Sequence, residues 1–137
     1  RQLPATPFTP GLQRRATLHQ SDHPFAVRAG VQRHRFDDAT WQTFLSEPFV
    51  VSDEANRVGL RLIGPPLHPI GGADVLSEGI VTGTIQVTGE GRAIVMLPGH
   101  ATIGGYTKIA TVMPDDWDRL GQLSPGDVIR FRDSSQA

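Results

Sequence analysis

The chain has 137 residues, which is enough for one domain with a sizeable core and too few for two. Its 13 basic and 14 acidic residues give a net charge of -1, and with no Lys/Arg-rich run beyond the Arg14–Arg15 pair this balance argues against nucleic-acid binding. The absence of cysteine excludes disulfides, thiolate nucleophiles and cysteine-ligated zinc.

No apolar run approaches the roughly 20 residues that span a bilayer, and the N-terminal residues do not have the pattern of a signal peptide. We therefore expect a cytoplasmic protein without membrane contact. Residues 1–24 contain four prolines and no sustained hydrophobic period, so we interpret them as a linker or an N-terminal arm. Residues 25–133 are predicted to form one domain, and residues 134–137 a flexible tail.

Two short helices are predicted. The first follows Asp37, a residue type that caps helix N-termini, and it places Trp41, Phe44 and Leu45 on one face. The second follows Pro114, where acidic residues favour the positive end of the helix dipole.

The remaining pattern predicts short strands separated by turns. Apolar and polar residues alternate over 57–62, the segments 84–87 and 93–97 flank a glycine-containing loop, and further strands are predicted at 106–113 and 128–131. We expect the strand at 93–97 to be central because it is apolar on both faces, Gly89 and Gly91 to supply positive φ angles in the loop, and Ser77–Gly79 to precede a strand. This pattern is typical of a mainly β protein with a barrel or closed sheet.

Common catalytic motifs are missing from the sequence. The five histidines lack the spacing of a helical metal site, so no metal is expected. Ser77 lacks the flanking glycines of a serine nucleophile elbow. The segment 99–106 lacks the Lys and Ser/Thr of a phosphate-binding loop, although paired glycines can still form a small anion-binding nest.

Several polar residues stand where a strand would favour apolar ones: Asn56, Arg57, Ser77, Glu78, Gln86, Tyr106 and Lys108. Arg57 can bind a carboxylate, Glu78 can act as a general base, and Gln86 can donate and accept hydrogen bonds toward an amide. This set is suited to a small amide or carboxylate. The alternative is that Arg57 and Lys108 are solvated, and that Ser77–Gly79 is only a polar turn.

Four motifs of this chain resemble those of one enzyme family. They are NRVGLRL (56–62) followed by GPPL (64–67), LSEGIVTGTIQV (76–87), GGYTKIATV (104–112) and LSPGD (123–127). In this order and spacing they resemble the C-terminal half of the C subunit of bacterial 5-oxoprolinase. The same family includes allophanate hydrolase subunit 2 and the carboxyltransferase subdomains A and B of urea carboxylase. The resemblance covers about residues 27–131.

The resemblance implies a cyclophilin-like β-barrel half that works with the N-terminal half of its own subunit and with a sister subunit in a bacterial hetero-oligomer. It implies an ATP-dependent hydrolase that opens 5-oxoproline to glutamate, or one that acts on allophanate, with ATP bound by the assembled complex. Glu78 and Lys108 are then the predicted catalytic residues. The predicted substrate-binding residues are Asn56, Arg57, Ser77, Gln86, Gly104, Gly105 and Tyr106.

Two other functions remain open at this point. The first is biotin-dependent carboxyl transfer to urea, which requires a biotin carrier as a partner. The second is a non-catalytic regulator that binds a sister subunit, as the family's kinase-inhibitor antagonists do. The regulator is suggested by residues 99–103, which read Gly-His-Ala-Thr-Ile where the family usually has Asp-Arg-Gln-Thr-Thr.

Overall fold

The computed structural model describes residues 23–72, 74–99 and 103–135. This part of the chain contains nine strands and two short α-helices. In chain order they are β1 (Phe25–Ala29), α1 (Asp38–Ser46), β2 (Phe49–Val51), β3 (Gly59–Ile63), β4 (Asp74–Gly79), β5 (Thr84–Val87), β6 (Ala93–Met96), β7 (Ile103–Val112), α2 (Trp117–Leu120), β8 (Val128–Ile129) and β9 (Phe131–Asp133). Short 3-10 helices at Arg33–Arg35 and Pro114–Asp116 precede α1 and α2.

The strands form one sheet that is nearly closed into a barrel. Its order is β8-β2-β3-β6-β5-β7-β1-β9, and β4 pairs with β7 outside this path. The β1–β9 pairing is parallel and the others are antiparallel. Because only Arg130 separates β8 from β9, the chain itself connects the two ends of the sheet. The predicted mainly β, barrel-like fold with two short helices is confirmed.

The barrel interior is filled by side chains from matching positions of neighbouring strands. One row, formed by Leu60, Val95, Ile85 and Ala110, crosses β3, β6, β5 and β7, and none of its members is more than 3% exposed. Helix α1 adds the ring of Phe44, which stacks on Phe131 of β9 at 4.7 Å between ring centroids. Burying aromatic rings of this size contributes a large part of the hydrophobic stabilisation.

Most predicted elements are present with small shifts in their ends. Leu60 and Leu62 of β3 are buried as their alternation predicts, but Val58 lies before the strand and is 43% exposed. Strand β6 lies between β3 and β5 and is buried at every position, so its predicted central place is confirmed.

Three sequence predictions are wrong in detail. The predicted strand at 128–131 is interrupted at Arg130, because its two parts pair with β2 and β1 on opposite ends of the sheet. Ser77–Gly79 precedes β5 as expected, but it is itself the end of strand β4 and not a polar turn. Of the two loop glycines, only Gly91 has a positive φ, at 83°. That residue also packs against the backbone of Leu67, where a Cβ would lie 2.9 Å from its amide nitrogen.

Helix α1 begins with the predicted cap. The carboxylate of Asp37 accepts a hydrogen bond from the backbone N–H of Thr40 at 2.8 Å. This bond satisfies one of the N–H groups that a helix leaves unpaired at its first turn. The hydrogen bonds from Thr40 hold the pKa of Asp37 below its usual range.

The cap is expected to make stability depend on pH in the acid range. A carboxyl whose folded-state pKa is lowered stabilises the fold above its unfolded-state pKa of about 3.9, and that stabilisation is lost as pH falls through the folded-state value. Asp37→Asn keeps a capping side chain but cannot titrate. Urea denaturation should therefore show a smaller loss of stability below about pH 4 for this variant than for the wild type.

Asp53→Asn provides the matched control, because the exposed Asp53 side chain makes no hydrogen bond within the described residues. If Asp37→Asn and the wild type lose the same stability between pH 6 and pH 3, the cap does not contribute to acid sensitivity.

Candidate functional site

A row of side chains crosses the outer face of the sheet directly beside the core row. Arg61 of β3 is opposite Ile94 of β6, Ile94 is opposite Gln86 of β5, and Gln86 is opposite Lys108 of β7. Residues that are directly opposite one another in a sheet have their side chains on the same face. The four side chains therefore share the face that points away from the core.

An irregularity in β7 makes this arrangement possible. Ile85 pairs with Ala110, but the next residue, Gln86, pairs with Lys108, so Ile109 is an extra residue in β7. Such a bulge changes which face the following side chains occupy. As a result Ala110 belongs to the core row, while Lys108 belongs to the outer row with Gln86.

The outer face contains a cleft of about 250 Å³. It is lined by Asn56, Val58, Gly59, Arg61, Ile80, Gln86, Ile94, Met96, Gly105 and Tyr106. The predicted residues Asn56, Gln86, Gly105 and Tyr106 are thus brought together from separate parts of the chain. Ile80, Ile94 and Met96 form a small apolar cluster of their own in this wall, separate from the core.

Gly59 keeps the cleft open. A Cβ at this position would lie 3.0 Å from Cγ2 of Ile94 and 3.2 Å from the terminal carbon of Met96. Both distances are tighter than ordinary packing contacts. The absence of a side chain at residue 59 therefore leaves room between β3 and the apolar cluster.

Gln86 is the most informative residue of the cleft. It is only 5% exposed, yet within the described residues its carboxamide has no hydrogen-bond partner. Buried carboxamides are normally hydrogen-bonded, because leaving one unpaired costs about 1–3 kcal/mol. A buried carboxamide that lines a cleft and has unused donors and acceptors is suited to bind a ligand with complementary groups.

Lys108 is held in a fixed position beside Gln86. Its side chain is buried, and its ammonium group donates to the backbone carbonyl of Tyr106 at 3.0 Å. Its backbone N–H donates to the side-chain oxygen of Gln32 at 2.9 Å, and its carbonyl accepts from the Gln32 N–H at 3.1 Å. The structure therefore buries this lysine instead of leaving it solvated.

Asn56 and Arg57 differ in how they relate to the cleft. The Asn56 side-chain oxygen accepts hydrogen bonds from the N–H groups of Val58 and Gly59, at 2.8 and 3.2 Å, so this oxygen fixes the turn into β3. Arg57 is exposed and is not among the residues that line the cleft. Its predicted role in binding substrate stays a prediction.

The predicted residues Ser77, Glu78 and Gly104 lie where β4 pairs with the start of β7. Glu78 of β4 is opposite Gly104 of β7, and Ser77 precedes Glu78 in β4. The side chains of Ser77 and Glu78 lie outside what the structure describes, as do residues 100–102. Their predicted roles therefore also stay predictions.

A second, smaller cleft of about 160 Å³ lies at the end of β3 and is lined by Phe49, Leu62, Ile63, Gly64, Pro65, Pro66, Glu90, Gly91, Arg92 and Ala93. None of the predicted site residues lines it. Of its two charged residues, Glu90 and Arg92, the arginine is already paired with Glu54 at 3.2 Å. We therefore take the cleft at Gln86 as the candidate site.

Sequence reasoning missed Arg61 and the apolar wall of the cleft. The side chain of Arg61 is exposed, and among the described residues it makes neither a hydrogen bond nor an ion pair. In the described ranges, no cluster of three or more His, Asp or Glu residues is placed to hold a metal ion. None of the helices in those ranges is long and apolar enough to cross a membrane.

Comparison with known proteins identifies the family. The family model of the carboxyltransferase domain, subdomain A and B, matches residues 2–133, and the chain belongs to this family. The match begins well before residue 27, where the motif resemblance starts. The chain is 35% identical over 102 residues to the C subunit of Escherichia coli 5-oxoprolinase, covering 74% of this chain and 33% of that protein.

Urea amidolyases are also similar to this chain. The enzyme of Lachancea kluyveri is 32% identical over 108 residues, covering 70% of this chain and 6% of that protein. The crystal structure of the Kluyveromyces lactis urea amidolyase superposes with a TM-score of 0.72 at 26% identity, covering 80% of this chain and 7% of that one. The chain thus spans about a third of its bacterial relative and a small part of the fungal enzymes.

Proposed function

We propose that this chain is part of a subunit of an ATP-dependent hydrolase that opens 5-oxoproline to glutamate, and that the cleft at Gln86 holds the amide. The observation that carries the proposal is the buried carboxamide of Gln86, which lacks a partner within the described residues. Membership of the carboxyltransferase family and the similarity to the C subunit of 5-oxoprolinase support the choice of reaction.

A carboxamide is the natural partner of an amide. Its oxygen accepts from the substrate N–H while its NH₂ group donates to the substrate carbonyl, so a single side chain can satisfy both polar groups of a lactam. The apolar cluster of Ile80, Ile94 and Met96 would contact the carbon atoms of the ring. Such a combination of apolar wall and few polar groups is common in small-molecule sites.

Lys108 and Glu78 are the proposed catalytic residues. Attack on an amide carbonyl places negative charge on its oxygen, and a fixed cation beside that oxygen lowers the barrier. Lys108 is not among the residues that line the cleft, but its place in the outer row next to Gln86 suits this role. Glu78 would act as the general base that activates water, and the backbone of Gly105, which lines the cleft, would contact the substrate.

The cleft is small for a nucleotide. The cleft has a volume of about 250 Å³, whereas pockets that bind drug-sized ligands have volumes of roughly 300–1,000 Å³. We therefore infer that ATP binds elsewhere in the assembled enzyme, which would include the other half of this subunit and a sister subunit. The residues of this chain would bind and orient the amide.

Turnover by the complete enzyme tests this proposal. The full-length subunit, combined with its sister subunit and the third component of an oxoprolinase, is expected to form glutamate from 5-oxoproline only when ATP is present. Glutamate and ADP would be measured together, with each protein omitted in turn as a control. Failure to form glutamate in the complete mixture would refute the proposal.

Carboxyl transfer to urea is the second candidate function. It is favoured by the urea amidolyase relatives and by the structural match to the Kluyveromyces lactis enzyme. This reaction needs a biotinylated carrier protein, so it predicts that labelled bicarbonate is incorporated into urea only when that carrier is added. Incorporation of label in this assay, without glutamate formation in the other, would decide for it.

A further inference from the structure

Arg61 occupies the end of the outer row opposite Lys108. Ile94 lies between Arg61 and Gln86 in this row. Since neighbouring strands lie about 4.8 Å apart, the backbones of residues 61 and 86 are separated by roughly 10 Å. A long arginine side chain that crosses Ile94 can therefore approach a ligand held by Gln86.

The charge around Arg61 favours an anion. Arg61 lines the cleft, and no lining residue is acidic within the described part of the chain. Its guanidinium group has neither a hydrogen bond nor an ion pair with any described residue. Three other arginines of this chain differ in this respect, since Arg33, Arg92 and Arg119 each pair with a carboxylate.

We propose that Arg61 binds a carboxylate of the substrate, so that the cleft selects small planar amides that also carry a carboxylate. The planar guanidinium can donate two parallel hydrogen bonds to a carboxylate, which adds orientation as well as affinity. Gln86 would then bind the amide end and Arg61 the acidic end of one small molecule. This inference rests on the proposed amide-binding role of the cleft.

The selection separates the candidate substrates. 5-Oxoproline and allophanate contain both an amide and a carboxylate, whereas urea contains no carboxylate. A cleft that depends on Arg61 therefore favours the first two compounds.

Equilibrium binding to the complete enzyme, without ATP, tests the role of Arg61. Two ligand pairs are compared: 5-oxoproline with 2-pyrrolidinone, and N-carbamoylglycine with N-methylurea. The members of each pair share the amide and differ in the carboxylate. Arg61→Gln is expected to weaken binding of the carboxylated member of each pair by about 10- to 100-fold and to leave the uncharged member unchanged.

Two variants sharpen the result. Arg61→Lys keeps the charge but loses the paired hydrogen bonds. Its affinity for the carboxylated ligands is expected to lie between that of the wild type and that of Arg61→Gln. Arg132→Gln removes an exposed arginine on β9, which is three strands away from β5 in the strand order. This variant should bind all four ligands with unchanged affinity.

If Arg61→Gln weakens both members of a pair equally, or neither, the role of Arg61 as a carboxylate site is wrong. Because the assay measures binding and not turnover, this outcome is separate from a failure to form glutamate. Should glutamate formation fail while the carboxylate preference depends on Arg61, the selection stands and only the assigned reaction falls.

Discussion

Replacing Gln86 with leucine is expected to abolish amide binding while the fold remains at least as stable as the wild type. The carboxamide is buried and has no hydrogen-bond partner in the described part of the chain, so its removal leaves no protein group unpaired. Losing both hydrogen bonds to a bound lactam should weaken binding by about 100-fold or more. Removing an unpaired polar group should change the free energy of unfolding by about 0 to +1 kcal/mol.

Calorimetric titration with 5-oxoproline and urea denaturation of the same variant measure the two effects together. Gln122→Leu is the matched control, because Gln122 is exposed and does not line the cleft, and it should alter neither quantity. A marked loss of stability in Gln86→Leu would mean that Gln86 is a structural residue. Unchanged binding of 5-oxoproline would mean that the ligand occupies another site.

Replacing Gly30 with alanine is expected to disrupt both the fold and the position of Lys108. A Cβ at residue 30 would collide with the carbonyl oxygen of Lys108 and lie 2.7 Å from the amide nitrogen of Ala110. These are backbone atoms of β7, so the strand or the loop has to move. The Gly30 N–H also donates to the Ile109 carbonyl at 2.9 Å, and this hydrogen bond supports the bulge.

The expected cost of Gly30→Ala is about 2–3 kcal/mol in the free energy of unfolding, by analogy with overpacked cores. For a domain of this size, that corresponds to a fall of roughly 10 °C in Tm. Gly89→Ala is the matched control, because a Cβ added there would meet no other atom within 4 Å and the φ of Gly89 is not positive. It should be neutral or slightly stabilising. Equal Tm values for the two variants would contradict the close approach of residue 30 to β7.

Local patterns in the sequence account for most of the barrel. Leu60 and Leu62 alternate with polar residues, and β6 is apolar at every position; in both strands these apolar residues are buried. The Asp37 cap depends only on residues that are close in sequence. The division at Arg130 depends instead on which strands β8 and β9 join. Pairing between distant strands leaves little local signal, and this is why the sequence predicts a single strand there.

The same distinction applies to the candidate site. Gln86 stands out in the sequence because it interrupts an apolar run, and Tyr106 because it follows paired glycines; both line the cleft in the structure. Arg61 gives no such signal, since an outward arginine on an alternating strand is ordinary. The bulge at Ile109, which aligns Lys108 with Gln86, becomes visible only when the register of two strands is known.

The most direct measurement of the central claim is a crystal structure of the complete subunit with 5-oxoproline bound. The account predicts that the lactam lies in the cleft between β3, β6 and β5, with its carbonyl and N–H within hydrogen-bonding distance of the Gln86 carboxamide. Ligand density at another place, with the Gln86 carboxamide making no contact to it, would contradict the account.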